Sequence, residues 1–250
     1  MSVGTATITR MTSMVELRQY ELVPGRRDAL ITLFEREFVE SQEAVGIHLI
    51  GTFVDLDNPD RFVWMRGFRD NAARTEALGG FYYGPIWAAH STAANATMID
   101  SDNVLLLRST GTGPGFPTAP DGAAPDGEVA PPSMYAVSVY ATPLDSDEAD
   151  LIRFFDAHVL PVASSAGAHT VGLLRTDPVE NGFPALPVRD GERVLVWIRR
   201  FPDIDEHARH IERMGRCDAW QHDVTPALAA RVGPAAQELR LAPTRRSRLR

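Results

Sequence analysis

Val63-Trp64-Met65-Arg66-Gly67-Phe68 returns later in the chain as Val196-Trp197-Ile198-Arg199-Arg200-Phe201. In both stretches Trp, Arg and Phe stand at alternate positions, and side chains of a strand point to opposite faces with period two. Trp64, Arg66 and Phe68 therefore share one face of a strand, with Val63 and Met65 on the other. Trp197, Arg199 and Phe201 repeat that face. A strand written twice, aliphatic on one side and aromatic-plus-arginine on the other, points to two similar sheets lining a pocket.

Outward from this pair, further anchors keep the same order. Tyr20 matches Tyr140 at a shift of 120, and Gly46-Ile47-His48-Leu49-Ile50-Gly51 matches Gly167-Ala168-His169-Thr170-Val171-Gly172 at 121. Trp64 matches Trp197 and Trp87 matches Trp220, both at 133, so 12 additional residues lie around Asp177 to Asp190. Separate anchors in one order indicate an internal duplication.

Each half reads as strand, helix, two strands, helix and strand. In the first, Val15 to Leu22 alternates as a strand that ends at Pro24-Gly25, and Arg27 to Glu43 carries Leu30, Leu33, Phe34 and Phe38 at helical spacing. Gly46 closes that helix. Ile47 to Asp55 and Arg61 to Phe68 form a hairpin around Asn58-Pro59-Asp60. Asp70 caps a short helix through Leu78, Gly79 to Pro85 reads as a mobile aromatic loop, Ile86 to Met98 as a helix and Val104 to Arg108 as a strand. The second half runs through a strand at Tyr135 to Tyr140, a helix over Glu148 to Ser165 broken near Pro161, and a strand at Ala168 to Arg175. A long polar loop, a strand at Arg193 to Phe201, helices over Ile204 to Met214 and Asp218 to Val232, and a strand at Glu238 to Leu241 complete it.

This order predicts an α+β chain of two tandem ferredoxin-like units whose bare sheet faces pack together into an α/β barrel. The expected organisation is a disordered start at residues 1–13, a first unit at 14–110 and a Pro/Gly-rich linker at 111–133. A second unit follows at 134–244, with a basic tail at 245–250 that reads as a solvated, disordered end. In this reading Val15, Leu17, Val137 and Val139 face the helices, and Glu16, Arg18, Tyr20, Ser138 and Tyr140 point into the barrel, where buried charges need partners.

With 250 residues, 44% hydrophobic and 23% charged, the chain has a globular composition. A net charge of −8 argues against non-specific nucleic-acid binding. Cys217 is the one cysteine, so no intrachain disulfide forms, which fits a reducing compartment. The sequence offers no apolar run of roughly 18 residues for a membrane span. Met1 to Ser13 lacks the apolar core of a signal peptide. A cytoplasmic location is the expectation, with neither nucleic acid nor membrane as partner; association into a homodimer or larger homo-oligomer through helices or sheet edges is compatible with it.

Glu16-Leu17-Arg18-Gln19-Tyr20, Pro24-Gly25, His48-Leu49-Ile50-Gly51, Phe81-Tyr82-Tyr83-Gly84-Pro85-Ile86-Trp87-Ala88-Ala89-His90 and Ala94 to Arg108 resemble bacterial NIPSNAP-domain proteins over about residues 14 to 110. The second half matches weakly and lacks the Tyr-Gly-Pro segment. The resemblance implies the fold of the dimeric α/β-barrel superfamily, whose members include small monooxygenases, polyketide cyclases, dehalogenase-like enzymes and haem-handling enzymes.

The candidate chemistry is that of a small organic ligand, aromatic or anionic, held in the barrel. Arg18, Arg66 and Arg199 suit a carboxylate or enolate oxygen, or else form an internal ion-pair set with Glu16 and Glu238. Tyr20 is a candidate proton donor, with a hydrogen-bonded buried role as the alternative. His90, on one side of a helix with Trp87, is a candidate base or a partly exposed histidine. The expected catalytic residues are Tyr20, Arg66 and His90. The expected ligand-binding residues are Glu16, Arg18, Trp64, Tyr82, Trp87, Ser138, Tyr140, Trp197 and Arg199. No histidine or acidic cluster has metal-ligand spacing, and no P-loop, Rossmann glycine pattern or Gly-x-Ser-x-Gly elbow occurs. The reading is thus a cofactor-independent acid–base enzyme of monooxygenase, cyclase or isomerase type. A non-catalytic ligand-binding or assembly protein, or a barrel that binds haem through a histidine, is the alternative.

Overall fold

A computed structural model describes residues 12–111, 132–233 and 236–250; the expected disordered start (but for Thr12 and Ser13) and most of the expected linker lie outside them. Eight strands close one antiparallel barrel within a single chain: β1 (Met14–Leu22), β2 (His48–Asp55), β3 (Arg61–Phe68), β4 (Met98–Ser109), β5 (Met134–Thr142), β6 (His169–Thr176), β7 (Arg193–Phe201) and β8 (Ala236–Pro243). Their spatial order is β1-β3-β2-β8-β5-β7-β6-β4, with β4 returning to β1. The two halves meet at two short seams, β2 on β8 and β4 on β6.

Helices lie on the outer surface. In the first half α1 (Arg27–Leu33) passes through a π-helical turn, Phe34–Phe38, into α2 (Val39–Ala44); α3 (Asn71–Tyr82) and α4 (Pro85–Asn95) follow β3. The second half has α5 (Glu148–Phe154), a π-turn at Phe155–Val159, α6 (Leu160–Ser165), α7 (Ile204–Gly215), a π-turn at Ala219–Val224 and α8 (Thr225–Ala229). Pro161 therefore does not break its helix. It sits in the first turn of α6, just after the π-turn, where a missing N–H is tolerated. Gly46 and Gly167 end the two leading helices with φ of 92° and 94°, the left-handed conformation that favours glycine.

The strands are turned over relative to the sequence reading. Val15, Leu17, Val63, Met65, Leu105 and Leu107 pack with Val137, Val139, Val196, Ile198, Leu239 and Leu241 in one cluster drawn from both halves, which is the barrel interior. Tyr20, Trp64 and Phe68 pack instead with Leu30, Phe34, Phe38 and Phe81 of the first-half helices, and Tyr140 and Trp197 with Phe155, Val159 and Met214. The barrel centre is thus an aliphatic core, and Glu16, Arg18, Tyr20, Ser138 and Tyr140 face the helices. An eight-stranded barrel has just enough interior for packed side chains. Arginine and glutamate are accommodated where helices supply further polar partners. Near one mouth Gln19 and Gln237 exchange amide hydrogen bonds at 2.8 and 3.1 Å between β1 and β8.

The tail also differs from expectation. Residues 245–250 are ordered against the leading helix and the other mouth of the barrel. Arg246 bonds the Glu35 backbone and the Glu40 carboxylate, and Arg248 pairs with Glu43. Leu249 joins the barrel core, its N–H donating to Ile50 O at 3.1 Å, and Tyr135 Oη donates to Arg250 O at 3.1 Å. Each arginine has found a carboxylate or carbonyl that composition cannot reveal. Leu249→Ala should lower stability by about 2 kcal/mol, at the low end for a buried leucine, and depress Tm by a few degrees. An unchanged thermal melt would contradict this placement.

Candidate functional site

Glu16 sits near the start of β1, directly opposite Arg66 of β3 in the ladder. Its carboxylate is fully buried and accepts from Arg66 Nε at 2.6 Å, Arg18 Nη1 at 2.8 Å and Arg74 Nε of α3 at 2.5 Å. Burial by itself would raise its pKa; Arg66, Arg18 and Arg74 outweigh it and hold the carboxyl well below the usual range. Three guanidinium groups against one carboxylate leave a formal charge of +2 beneath the helices. Neutral acceptors complete part of the shell: Gln42 Oε1 for Arg66 at 3.2 Å, Asn181 Oδ1 for Arg74 at 3.0 Å and Tyr20 Oη for Arg18 at 3.0 Å. Arg66 Nη2 and Arg74 Nη2 are buried with no hydrogen-bond partner among the described residues.

Against this cluster lies a small cavity of about 30 Å³, walled by Tyr20, Phe34, Phe38, Gln42, Trp64 and Tyr82, with Phe81, Trp87, Leu30, Ala94 and Met98 completing it. That is room for about one water. The arginines stand behind its wall: the Arg66 guanidinium lies over Trp64 at 4.9 Å and Tyr82 at 5.8 Å, and Arg18 lies 5.4 Å from the Tyr20 ring. Tyr20 accepts from Arg18, which leaves its own proton for donation. Burial raises its pKa against the opposing pull of Arg18, so the hydroxyl is protonated at neutral pH. Trp64 Nε1 is buried without a partner among the described residues.

The second half keeps Tyr140, Trp197 and Arg199 at the places of Tyr20, Trp64 and Arg66 but surrounds them differently. Ala136 stands opposite Arg199 where Glu16 stands opposite Arg66, and Ala163 occupies the place in α6 that Gln42 holds in α2. Thr170 pairs with Arg199 where Leu49 pairs with Arg66, and Thr170 Oγ1 accepts the Trp197 indole proton at 3.1 Å. Leucine at position 49 offers Trp64 no such acceptor. Arg199 is held by Ser138 and by Glu238, whose side chain is half exposed.

The structure therefore brings together Glu16, Arg18, Tyr20, Trp64, Arg66, Tyr82 and Trp87 of the residues singled out in the sequence. Ser138, Tyr140, Trp197 and Arg199 form a separate group under the second-half helices. His90 is on the outer surface, 3.4 Å from Glu37, and does not reach the cavity; among the described residues no histidine lines it. The ligand space expected at the barrel centre is occupied by aliphatic side chains. Arg74, Gln42 and Asn181 escaped the sequence reading. Arg74 is the polar member of an i, i+3, i+4, i+7 buried stripe with Ala77, Leu78 and Phe81, and Gln42 continues Phe34 and Phe38 at spacings of four, so both carried a readable signal. Asn181 depends on a loop conformation that no local pattern specifies. The presumed loop from Gly79 is helical through Tyr82, because Phe81 buries its ring and Gly80 lets Val45 approach.

Architecture and site together define an α/β barrel of the ferredoxin-like type with a polar–aromatic centre between sheet and helices. Residues 15–114 match the NIPSNAP family model. No curated protein matches the chain. Among solved structures, an anthrone oxidase-like protein superposes with a TM-score of 0.65 at 11% identity, covering 97% of this chain and 96% of its own. A protein of Fusobacterium nucleatum described provisionally as a monooxygenase gives 0.56 at 9% identity, covering 93% and 92%. One from Lactobacillus acidophilus, described in the same way, gives 0.52 at 13%, covering 95% and 98%. At these identities the likeness is one of fold. No described helix is long and apolar enough to cross a membrane.

Glu16→Gln should cost about 3–5 kcal/mol, the range for removing one partner of a buried ion pair. The pH dependence has a fixed sign. Because the folded pKa of Glu16 is depressed, its contribution is complete above the ordinary carboxyl value of 4.5 and declines as pH falls below it. Urea unfolding between pH 7 and pH 3 should show wild type losing its advantage over Glu16→Gln towards the acid end; a constant difference would contradict it.

Proposed function

We propose that the two halves are repeats of which the first keeps a working site. It binds a small planar aromatic molecule through an acceptor oxygen, phenolic or carbonyl, and acts on it by acid–base chemistry without a cofactor. The observation that carries this reading is a pair of buried side chains with donor protons to spare, Tyr20 and Trp64, among the residues lining a largely aromatic cavity. A buried donor left unpaired costs about 1–3 kcal/mol, and a ligand oxygen that accepts from it recovers that cost. The +2 cluster behind the wall favours negative charge developing on the bound oxygen, because charge stabilisation by fixed groups needs no reorganisation. Arg18 orients the Tyr20 hydroxyl, Arg66 lies behind Trp64 and Tyr82, and the aromatic walls stack on the ligand ring.

The lining residues include donors but no carboxylate and no histidine. The site therefore suits a ligand whose proton is already acidic, an enol or phenol, with Tyr20 returning a proton at the end of turnover. A monooxygenase form of this reading takes dioxygen as the oxidant of such an anion; a cyclase or isomerase form needs none. A purely ligand-binding role would use the same donors.

The test is titration calorimetry with 2-naphthol and naphthalene. The wild type should prefer 2-naphthol, and Trp64→Phe should weaken its binding about five- to tenfold, the value of one hydrogen bond. Trp197→Phe, in the half whose indole already has Thr170, should leave affinity within about twofold. Equal losses in the two variants would sink the assignment to the first half.

A further inference from the structure

A one-water cavity admits no aromatic ring, so ligand entry requires a wall to move, and the outermost wall is braced by the other half of the chain. The 12 additional residues of the second half lie between β6 and β7, and they fold across α3. Phe183, 6% exposed, packs its ring 6.0 Å from Tyr82 and 5.7 Å from Tyr83, on the outer side of the corner that joins α3 to α4. Asn71 Nδ2 donates to Glu180 O at 3.0 Å, and Asn181 Oδ1 accepts from Arg74 Nη1 at 3.0 Å and from Phe183 N–H at 3.1 Å. Asn181 Nδ2 in turn donates to Leu186 O at 2.9 Å. The loop is thus pinned to the same arginine that holds Glu16, and its buried ring backs Tyr82, a residue of the cavity wall.

We infer that this insertion is the specificity element of the first-half site, with Phe183 setting how large a ring system the cavity accepts. The inference rests on the site reading above. At the corner Gly84 approaches the Gly80 carbonyl so closely that a Cβ there would lie 2.5 Å from the oxygen. In this inference Tyr82 gives way outward, against Phe183. A bicyclic ligand is accommodated by a displacement of Tyr82 that Phe183 permits; a third ring meets Phe183 directly. Asn181 is a positioning residue, holding the loop in register with Arg74.

The experiment is equilibrium dialysis of the full chain with 2-naphthol and 2-anthrol, which carry the same hydroxyl and differ by one fused ring. The wild type should favour 2-naphthol. Phe183→Ala should raise 2-anthrol affinity relative to 2-naphthol about tenfold, within the discrimination expected of a pocket wall. Phe183→Leu, which keeps the loop packed, should give a smaller change in the same direction. A purely structural role for Phe183 would weaken both ligands alike and leave their ratio within about twofold in both variants, overturning the inference while wild-type binding upholds the site. Failure of the wild type to bind either compound would overturn site and inference together.

Discussion

A carboxylate without solvent exposure, gripped by three guanidinium groups, is the contact on which the first half depends. Taking an ion out of water costs several kcal/mol, which the attraction of its partners offsets only when geometry is good and remaining protons find acceptors. Glu16 meets the geometric part of that condition by drawing its arginines from β1, β3 and α3, so the same interaction ties the barrel wall to its covering helix. The planes of Arg18 and Arg66 then stand against Tyr20, Trp64 and Tyr82 and give the aromatic wall its positive background. Sheet, helix and cavity share one electrostatic anchor.

The second half shows the fold without that anchor. With Ala136 for Glu16 and Ala163 for Gln42, its helices pack through Phe155, Val159 and Met214, and its tryptophan proton is taken by Thr170. Its tryptophan is satisfied, although Arg199 Nε is buried without a partner among the described residues. In the first half Trp64, Arg66 and Arg74 keep buried protons without partners among the described residues. Native proteins hold few unsatisfied buried groups, and those they keep call for an explanation. The two tryptophans, alike in place and unlike in satisfaction, support the proposed division of labour, in which one half binds and the other closes the barrel and sends its insertion across to the first.

The strand pattern was legible from the duplicated Trp-x-Arg-x-Phe, and Arg61–Phe68 and Arg193–Phe201 have the bounds that pattern implies. Which face turned inward was not. Period two separates Val15 and Leu17 from Glu16 and Arg18, but alternation carries no sign, and charge on one face fits a polar lumen as well as a polar layer under the helices. The deciding fact is non-local: beside Arg18 and Arg66 of its own sheet, Glu16 is held by Arg74 on a helix, and by nothing from the opposing sheet. The tail misled for the same reason, since Arg246 and Arg248 look solvated until Glu35, Glu40 and Glu43 are placed beside them. Residues of the site that lie on strands or in buried stripes could be read; Asn181 and Phe183, which act through a long loop, could not.

The most direct measurement is the indole N–H spectrum of the 15N-labelled protein during titration with 2-naphthol. Four tryptophans are present, at positions 64, 87, 197 and 220. The Trp64 resonance, assigned by its loss in Trp64→Phe, should move downfield on saturation as its proton gains an acceptor, while the Trp197 resonance, already bonded to Thr170, should stay in place. A Trp64 signal unmoved by saturating ligand, or a larger displacement at Trp197, would contradict the account.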